Sequence, residues 1–534
     1  MTEVSVHSIP FQRVAKFTQI DIDYATDPAS LSEFISLVPN LSNFGKALAN
    51  RSIYPTEREL LVDVLLEQYA GAEQDGSHCE AFLDPAHFTV VTAHQPALLT
   101  GPLYFIYKIC STINLAQQIS AAHPSYRVHP VFVLSGEDHD FDEVNHLHLF
   151  GKQYKWATPQ TGAVGRMKVD GALVQLLRDM ESVFGRTPHG SALGSLFHRC
   201  FEKGRSYGAG MQRFVMELFK DTGLIVLNMD DQRLKRRFAD IIEDELLHQT
   251  SRRLIEQNQQ ALSARGYKPQ TYQREINLFY LTDNLRGRIV ESKEMYQVVD
   301  SGLTFTREEM FTELKMHPER FSPNVNLRPL YQELILPNLA YVGGGGELAY
   351  WLERKLLFDH YKVPLPILVR RNSILYLDSI ATKQRRKLDI PVQELFETQD
   401  SWIAQWIKAH AVHEIQIDEE QSQIEKALDA ILQKAYSIDP TLGSKYEAEK
   451  IRLLKDVDHL GKRLVRAEKA QNETRISQLI KLHEKLFPDG KLQERHDNFI
   501  AHYLRHGNAY LRMLISHLDP LFNEVMIIEE SVSE

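Results

Sequence analysis

The stretch that decides the fold is Phe88-Thr-Val-Val-Thr92, which continues through Ala93-His-Gln-Pro96 to Thr100-Gly-Pro102. A short apolar run that ends in polar and turn-forming residues is typical of a buried parallel strand. Gly101 and Pro102 then predict the start of a helix, because proline fits the first helical turn. The apolar residues of this helix recur at spacings of three and four: Ile106, Ile109, Ile113 and Ala116. The stretch therefore predicts a strand followed by a crossover helix.

Further apolar runs of the same kind alternate with helical stretches along the chain. They are Val131-Phe-Val-Leu134, Leu224-Ile-Val-Leu227, Leu339-Ala-Tyr-Val342 and Leu365-Pro-Ile-Leu-Val369. Asp230-Asp231 follows the Leu224 run as an N-cap and predicts one long charged helix to about Gly266. The Leu339 run leads through the tetraglycine Gly343 to Gly346 into a predicted helix from Glu347 to His360. This alternation predicts an α/β protein with a parallel sheet.

The length of the chain predicts more than one folded unit. It has 534 residues, whereas a single hydrophobic core stops growing at about 250–300 residues. The predicted segments, in order, are a helical N-terminus with the first half of the core (1–150), a first insertion (151–220), more core (221–266), a second insertion (267–335), the end of the core (336–414) and a C-terminal helical coiled-coil domain (415–534).

After about residue 415 the predicted strands disappear and a heptad-like repeat begins. Its seam residues recur at spacings of four and three: Leu453, Val457, Leu460, Leu464 and Ala467. Ser437-Ile-Asp-Pro440 and Pro488-Asp-Gly490 mark the predicted ends of long helices. Two interpretations fit this repeat about equally: an antiparallel helical hairpin within one chain, and a coiled coil that makes a homodimer.

The composition narrows the function classes. There are 71 Asp and Glu against 61 Lys and Arg, a formal net charge of -10. Nucleic acid is not an expected partner, because proteins that neutralise many phosphates usually carry a basic excess. No apolar run reaches the ~18 residues of a membrane span, and the first ten residues lack the pattern of a signal peptide. Cys79, Cys110 and Cys200 form no CxxC pair, so we expect a cytoplasmic protein with buried cysteines.

The segment from Gly136 to His148 is crowded with carboxylates and imidazoles directly after the second predicted strand. Ligands of open parallel sheets bind where loops leave the carboxyl ends of strands. Like charges at this spacing raise one another's pKa unless a cation offsets them, as happens in catalytic sites. We predict that Asp138, His139 or Asp140 contacts the substrate. Two alternatives stay open: an acidic helix N-terminus that only complements the helix dipole, and a tight metal site.

Several familiar ligand motifs are excluded by single positions. A calcium loop fails because Glu143 stands where glycine is needed and Leu149 where a bidentate glutamate is needed. A GxGxxG fingerprint fails at Leu348, and no Gly-Lys pair has the upstream glycine of a Walker A motif. The tetraglycine can still present amides to an anion, or it is a plain tight turn. In the second insertion, Arg274-Glu275 and Arg328 have two interpretations. They form internal salt bridges, or Arg328 binds a carboxylate or phosphate of a ligand bidentately.

Long stretches of the chain together point to one family. They are Val91-Thr-Ala-His-Gln-Pro-Ala-Leu-Leu-Thr-Gly-Pro-Leu-Tyr104, Gly136-Glu-Asp-His-Asp-Phe-Asp-Glu143, Arg274-Glu-Ile-Asn-Leu-Phe-Tyr280, Ser322-Pro-Asn-Val-Asn-Leu-Arg-Pro-Leu-Tyr-Gln-Glu333, Leu336-Pro-Asn-Leu-Ala-Tyr-Val-Gly-Gly-Gly-Gly-Glu-Leu-Ala-Tyr-Trp351, and Leu486-Phe-Pro-Asp-Gly490 with Leu492-Gln-Glu-Arg495. The chain resembles the cysteine ligases of bacillithiol biosynthesis in these stretches. It departs from that family at Ala93-His-Gln-Pro-Ala97, where the family usually reads Gly-Gln-Gln-Ala-Gly.

The resemblance implies a fold and a reaction. The fold is a Rossmann-like core akin to nucleotidyltransferases and class I aminoacyl-tRNA synthetases, with two insertions and a C-terminal coiled coil that makes a homodimer. The reaction is the last step of bacillithiol synthesis, in which cysteine is joined to the amino group of glucosaminyl malate. ATP or ADP is the expected nucleotide, the need for magnesium stays open, and a Lys-Met-Ser-Lys-Ser loop of the synthetase type is absent. The alternative is a non-catalytic coiled-coil scaffold that binds a nucleotide or sugar acid in a thiol pathway.

The predicted site residues follow from the strand ends and from the resemblance. The catalytic candidates are His94, Asp138, His139 and Asp140. Among them, His94 would meet the charge of a transferring phosphoryl group and one of the others would take the proton of the amine. The substrate-binding candidates are Gln95, Asn326, Arg328 and Glu347. The nucleotide-binding candidates are Gly343, Gly344, Gly345, Gly346 and Arg495, and no resident metal site is predicted.

Overall fold

The structure is a computed structural model that describes residues 3–185, 187–411 and 417–532. Its strands are β1 Val4–Ile9, β2 His87–His94, β3 Arg127–Leu134, β4 His146–Leu149, β5 Lys152–Lys155, β6 Ile225–Asn228, β7 Leu278–Leu281, β8 Arg286–Ser292, β9 Met295–Val298, β10 Thr304–Thr306, β11 Phe321–Pro323, β12 Asn338–Gly343, β13 Ile367–Arg370, β14 Ile374–Leu377 and β15 Val525–Glu530. Its helices are α1 Gln19–Thr26, α2 Phe44–Ser52, α3 Arg58–Gly71, α4 Tyr104–Ala122, α5 Phe141–Val144, α6 Gly171–Phe184, α7 Pro188–Cys200, α8 Tyr207–Leu218, α9 Gln232–Arg236, α10 Ala239–His248, α11 Thr250–Ala264, α12 Arg307–Met316, α13 Arg328–Ile335, α14 Gly345–Leu352, α15 Lys355–Tyr361, α16 Ser379–Lys387, α17 Gln399–His410, α18 Asp418–Ile438, α19 Pro440–Gln471, α20 Glu473–Leu486, α21 Ile500–His506 and α22 Asn508–His517.

A five-stranded parallel sheet carries the fold, in the spatial order β13-β12-β2-β3-β6. Numbered by their place in the chain and read from β6, these strands run 3-2-1-4-5, the strand order of a Rossmann-like sheet. They coincide with the five apolar runs of the sequence, which confirms the predicted parallel α/β core. The order of the strands reverses between β2 and β12, so the crevice at the carboxyl ends of this pair is the expected ligand site.

The sheet is buried, as its nearly continuous apolar runs require. Phe88 and Val90 of β2 pack in one cluster with Leu115 and Ile119 of α4 and with Val342 of β12. Apolar side chains of α4 thus pack against β2, and all four residues of the predicted apolar face, Ile106, Ile109, Ile113 and Ala116, are buried. This packing fixes the carboxyl end of β2, from which the candidate site begins.

Two of the predicted helices are wrong in their extent. The long charged helix after β6 is three helices, α9, α10 and α11. Asp231 does cap the first of them, and its Oδ1 accepts the N–H of Arg233 at 2.8 Å. A break follows at Gln249, which ends α10 in the left-handed region with φ 50° and ψ 38°. The predicted helix from Glu347 to His360 is two helices, α14 and α15, of which the first begins at Gly345.

The two stretches between the core segments have different architectures. Residues 151–220 hold β5, which pairs with β4, and the helices α6, α7 and α8. Residues 267–335 hold a sheet in the order β10-β9-β8-β7-β11, whose pairs are all antiparallel. Its strands are short and partly polar, as in Arg286–Ser292 of β8, so they give no clear apolar run in the sequence.

The described residues divide into two compact units. Residues 8–375 and 491–526 make up nearly all of the larger unit, and residues 376–490 most of the smaller one. The predicted boundary at residue 415 lies outside the described residues. The expectation that strands end there is wrong, because β15 follows and pairs in a sheet with the order β1-β15-β14. Among the described helices, none is both long and apolar enough to cross a membrane.

Helices α18 and α19 form an antiparallel hairpin in the smaller unit. The Nζ of Lys450 lies 2.5 Å from an oxygen of Asp429 and 3.4 Å from one of Glu425. Asp439 caps α19 by accepting the N–H of Thr441 at 2.6 Å. Three seam leucines stay exposed within the chain: Leu453, Leu460 and Leu464. The hairpin therefore exists in one chain, and its described residues leave the seam uncovered.

Candidate active site

A cleft of about 430 Å³ lies at the carboxyl edge of the parallel sheet. Every strand of that sheet contributes residues that follow or end it: His94 and Gln95 from β2, Gly136 to Asp138 from β3, Met229 and Asp230 from β6, Gly344, Gly346 and Glu347 from β12, and Arg371 from β13. The antiparallel sheet and its connections add Arg286, Asn324 and Arg328, and the C-terminal segment of the same unit adds Arg495. The cleft thus occupies the place where the strand order reverses.

Close backbone packing holds the loop after β3. The carbonyl of Gly136 accepts the N–H of Gly165 at 2.7 Å, and that of Asp138 accepts the N–H of Val164 at 2.7 Å. A Cβ on Gly165 would lie 2.8 Å from the Cα of Gly136, and one on Gly208 would lie 2.8 Å from the carbonyl oxygen of Gly165. Only glycine allows backbones to approach this closely. The stack fixes the backbone from which the carboxylates of the loop project into the cleft.

Asp138 is a carboxylate surrounded by donors. Its Oδ2 accepts a hydrogen bond from Gln95 Nε2 at 2.6 Å, and its Oδ1 accepts from Arg286 Nη1 at 3.2 Å and from the backbone N–H of His139 at 2.7 Å. Burial favours the protonated form, but hydrogen bonding by the side chain of His139 and the charge of Arg286 outweigh it and hold the pKa of Asp138 well below its usual range. Asp138 is therefore a poor proton acceptor at neutral pH, and its donors fix its orientation.

Glu137 precedes Asp138 and has the opposite environment. It is 9% exposed, and burial raises the pKa of its carboxyl although Lys235 forms an ion pair with it. The same lysine lies 3.0 Å from Asp230, which also receives two hydrogen bonds from Arg166 at 2.7 and 2.8 Å. Against its burial, Lys235 and Arg166 lower the pKa of Asp230 to about 2. Of these carboxylates, Glu137 is the one whose surroundings favour taking up a proton.

His94 is a neutral imidazole at the end of β2. Burial, together with the charge of Lys108, lowers the pKa of His94 to about 4. Its Nδ1 lies 2.9 Å from the carbonyl of Gln95 and its Nε2 3.2 Å from the hydroxyl of Tyr104. Because a carbonyl only accepts, Nδ1 carries the proton and Nε2 accepts from the tyrosine. This tautomer gives no positive charge or free N–H to a phosphoryl group, which counts against the predicted role of His94.

Glu347 caps its own helix beside the tetraglycine. Its Oε2 accepts the N–H of Gly344 at 2.8 Å, and its Oε1 accepts from Lys108 Nζ at 2.7 Å and from the hydroxyl of Tyr341 at 3.1 Å. Burial opposes ionisation, but Lys108 outweighs it and lowers the pKa of Glu347 to about 2. Glu347 is ionised but ion-paired with Lys108, so the pair brings little net charge to this turn. Its carboxylate also occupies the N–H of Gly344, which a phosphate would need. Nucleotide binding by the tetraglycine stays a prediction, and this hydrogen bond counts against it.

Arg328 is a cation with no carboxylate partner among the described residues. Its Nη2 donates to the hydroxyl of Tyr350 at 3.2 Å, and its Nη1 is buried without a hydrogen-bond partner. Arg371, in contrast, is paired with Glu494 through two hydrogen bonds of 3.0 and 2.8 Å. Arg495 is exposed and lines the same cleft. A guanidinium with a free, buried N–H group is a strong site for a carboxylate or phosphate oxygen.

The structure places some of the predicted site residues in the cleft and others outside it. The predicted residues that line the cleft are His94, Gln95, Asp138, Arg328, Gly344, Gly346, Glu347 and Arg495. The predicted residues outside its lining are His139, Asp140, Asn326, Gly343 and Gly345. His139 is half-exposed, with its Nδ1 3.1 Å from Arg286 Nη1. Asn326 is fully buried and donates to Gln273 and Asn277 at 2.9 Å each, so its side chain is already engaged.

Three residues with strong interactions at the cleft were missed by the sequence reasoning. Glu137 lies inside the acidic segment, and its position directly after β3 was the signal that could have found it. Lys235 belongs to a charged helix and Arg286 to a partly polar strand, and neither has a local pattern that marks it. In the described part of the chain, no group of three or more His, Cys, Asp or Glu side chains is arranged to hold a metal ion.

The strand order and the cleft define the class: a Rossmann-like α/β protein with a charged ligand site at the reversal of its sheet. Two family models match the chain. Residues 4–372 match the model of the bacillithiol biosynthesis BshC N-terminal Rossmann-like domain, and residues 374–530 match that of the BshC C-terminal coiled-coil domain.

Relatives match over the same length. A protein of Christiangramia forsetii is 36% identical over 529 residues, which covers 97% of this chain and 98% of the relative. One of Flavobacterium psychrophilum is 35% identical over 529 residues, covering 98% and 99%. Both are named "Putative cysteine ligase BshC". The chain belongs to the bacillithiol biosynthesis BshC family.

Proposed function

We propose that this protein is the ligase that joins cysteine to the amino group of glucosaminyl malate, after ATP-dependent activation of the cysteine carboxylate. The relatives named as cysteine ligases support the reaction class. The observation that carries the proposal is the charge arrangement of the cleft. One cavity presents an arginine without a carboxylate partner, an ionised glutamate and a buried glutamate with a raised pKa.

The charges of Arg328 and Glu347 are opposite in sign to the carboxylate and ammonium groups of the substrates. Arg328 has a free buried N–H group for a carboxylate or phosphoryl oxygen. Glu347 is ionised at neutral pH, and its two oxygens accept from Lys108, Tyr341 and the N–H of Gly344, which leaves one of about four lone-pair positions for an ammonium group. Cysteine carries both an ammonium and a carboxylate, and glucosaminyl malate carries an amine and the carboxylates of malate. We therefore assign the carboxylate end of a bound substrate to Arg328 and the ammonium end to Glu347.

Glu137 is the proposed proton acceptor. The attacking amine has to lose a proton when the C–N bond forms, and an acceptor with a raised pKa is suited to take it. Lys235 contacts both Glu137 and Asp230, so it keeps an ionised partner when Glu137 becomes neutral. This assignment replaces the predicted bases Asp138, His139 and Asp140. Asp138 has its pKa held low, and the other two lie outside the cleft lining.

ATP supplies the leaving group for amide formation. Attack of the cysteine carboxylate on the α-phosphorus releases pyrophosphate, and attack on the γ-phosphorus releases ADP. The amine then forms the C–N bond as the bond from carbonyl carbon to phosphoryl oxygen breaks, which leaves AMP in the first case and inorganic phosphate in the second. Among the cleft residues, Arg328 and Arg495 are the cations available to the phosphoryl oxygens. We expect magnesium to accompany the phosphates.

The test is a reconstitution with purified full-length protein, cysteine, glucosaminyl malate, ATP and magnesium. We expect the amide product by mass spectrometry, in equal amount to one nucleotide product, AMP or ADP. Arg328→Gln removes a charge-assisted contact, so we expect kcat/KM to fall by about tenfold or more. Arg178→Gln is the matched control, because Arg178 is exposed on α6 and does not line the cleft. Absence of product with every nucleotide and divalent metal tried would overturn the proposal.

We also propose that two copies associate through the exposed seam of α19. The seam leucines are not covered within the described chain, and a leucine seam of this spacing is typically covered by another helix. A homodimer is the assembly in which one seam can cover the other.

A further inference from the structure

A second cavity, of about 250 Å³, lies in the larger unit and shares no lining residue with the cleft. We call it the basic pocket. Its charged and aromatic lining residues are Arg252, Tyr272, Arg274, Glu275 and Arg288. Arg252 comes from α11 and Arg288 from β8, and the other three come from the segment that leads into β7. Separate parts of the chain therefore bring three guanidinium groups to one small cavity.

The charges in the basic pocket are not balanced. Arg252 is engaged, with Nε 3.0 Å from Glu256 and Nη1 3.5 Å from Glu275. Arg274 and Arg288 have no carboxylate within 4.0 Å among the described residues. Three arginines thus face two carboxylates, Glu275 in the lining and Glu256 beside it, and both of these carboxylates contact Arg252. The net charge stays positive, and bringing like charges together costs free energy that a bound anion would recover.

One of these arginines is already oriented. The guanidinium of Arg274 lies over the ring of Tyr272, with its carbon 4.6 Å from the ring centroid. This contact holds the side chain in place by a cation–π interaction and leaves its N–H groups free. Tyr272 is itself 76% exposed, so the pair lies at the open side of the pocket, where a ligand from solvent can reach it.

We propose that the basic pocket is a binding site for a phosphate group, either as inorganic phosphate or carried on a small metabolite. Arg274 and Arg288 donate to the phosphate oxygens, and Tyr272 positions Arg274. Planar guanidinium groups match the spacing of phosphate oxygens, so two of them can hold one dianion by several hydrogen bonds. The site does not depend on the reaction proposed for the cleft.

The experiment is calorimetric titration of full-length protein with inorganic phosphate at constant ionic strength. All variants carry Arg328→Gln, so that binding in the cleft is suppressed. We expect the Arg328→Gln protein to bind phosphate and the added pair Arg274→Gln and Arg288→Gln to weaken this binding by about tenfold or more. The control pair is Arg178→Gln and Arg512→Gln, which removes the same charge from two exposed arginines, on α6 and α22, outside the pocket. This control should leave the affinity within about twofold, since distant surface charges are screened.

The outcomes decide the proposal. It is overturned if the Arg328→Gln protein binds no phosphate, if the pocket pair binds as tightly as its parent, or if the control pair weakens binding equally. Titration with glucose 6-phosphate and with AMP identifies the source of the group. Tighter binding of either ester than of inorganic phosphate, lost in the Arg274→Gln and Arg288→Gln pair, shows that the pocket takes the phosphate on a metabolite. Tighter binding of inorganic phosphate, lost in the same pair, shows that it takes the free ion.

Discussion

Glu137 and Asp138 are consecutive carboxylates whose side chains meet different partners. Asp138 receives hydrogen bonds from Gln95 and Arg286, whereas Glu137 is buried beside Lys235. Burial raises the pKa of Glu137, and donors hold that of Asp138 low. At the scale of single residues, the cleft therefore contains two neighbouring carboxylates with different pKa values: Asp138 stays charged, and Glu137 can exchange a proton.

The substitution Glu137→Gln tests whether Glu137 is the residue that exchanges a proton. The charged form is the proton acceptor, so in the wild-type protein kcat/KM should fall as the pH decreases through the pKa of Glu137, which lies above the ordinary 4.5. We expect kcat of the variant to be about 100-fold lower, with little change in KM. We also expect the variant to lose the decrease of kcat/KM at acidic pH, which is the acidic limb of the pH profile. The measurement is the pH profile of amide formation, together with a thermal unfolding curve to show that the fold is kept.

Asp142→Asn is the matched control. Asp142 belongs to the same acidic segment, but its side chain is 87% exposed, where it forms an ion pair with Lys155 at 3.3 Å and accepts a hydrogen bond from Asn145 at 3.1 Å. We expect its rate to stay within about twofold of wild type. An acidic limb that persists unchanged in Glu137→Gln would contradict the assignment of Glu137 as the base.

The sequence could indicate this segment but not the role of each side chain in it. Crowded carboxylates after a strand predict shifted pKa values, and the strand end predicts the cleft. The sign of each shift depends on Arg286 and Lys235, which are distant in the chain from Glu137 and Asp138. Because local spacing does not reveal such partners, His139 and Asp140 were predicted in the site, although they do not line it.

At the scale of elements, the loop after β3 depends on the approach of three glycine backbones. Gly136 lies in the loop after β3, Gly165 in a short helical turn and Gly208 in α8. A Cβ at any of them would lie 3.3 Å or less from a neighbouring backbone atom. The cleft carboxylates are thus positioned by contacts between elements that lie well apart in the chain.

Gly165→Ala should disturb this stack. Its Cβ would lie 2.8 Å from both the Cα and the carbonyl oxygen of Gly136, and backbone atoms cannot yield as a flexible side chain does. We expect a loss of about 3 kcal/mol in the free energy of unfolding, from chemical denaturation, and a lower kcat because the loop shifts.

Gly171→Ala provides the comparison for that loss. A Cβ on Gly171, at the start of α6, would have no atom within 4 Å. Its free energy of unfolding should change by less than about 1 kcal/mol. Equal stability of Gly165→Ala and Gly171→Ala would show that the glycine stack has no structural importance.

The sequence predicted the elements of the sheet better than the helices and the second insertion. Buried parallel strands give continuous apolar runs, and each of those runs became a strand. The break at Gln249 needs a left-handed residue that is not glycine, which sequence rules do not anticipate. The antiparallel strands near Arg286 are short and partly polar, so their pairing depends on neighbours rather than on their own pattern.

At the scale of the whole molecule, the helical hairpin leaves an apolar seam on α19. Leu453, Leu460 and Leu464 are 41%, 55% and 43% exposed. The sequence left the hairpin and the dimer as two alternative interpretations of this repeat, because an a/d pattern does not tell which helix covers it. The structure shows the hairpin, and the exposed seam supports the proposed dimer.

Replacing the three seam leucines with glutamine should therefore dissociate the dimer. We expect wild-type protein to sediment at twice the chain mass of 61.5 kDa and the triple variant to associate at least about 100-fold more weakly. Ile438→Gln is the control, since Ile438 is 76% exposed at the end of α18 and is not part of the seam. A wild-type protein that stays monomeric at micromolar concentration would refute the dimer.

The contribution of residues 491–526 to the larger unit has a consequence for synthesis. Glu494 pairs with Arg371, Arg495 lines the cleft, and Asn498 donates to the carbonyls of Leu99 and Gly101 at 3.0 and 2.6 Å. Glu494, Arg495 and Asn498 leave the ribosome after the helices of residues 376–490. A nascent chain can form the parallel sheet early, but its cleft stays incomplete until translation is almost finished. Fragments from premature termination before residue 491 therefore lack a finished cleft.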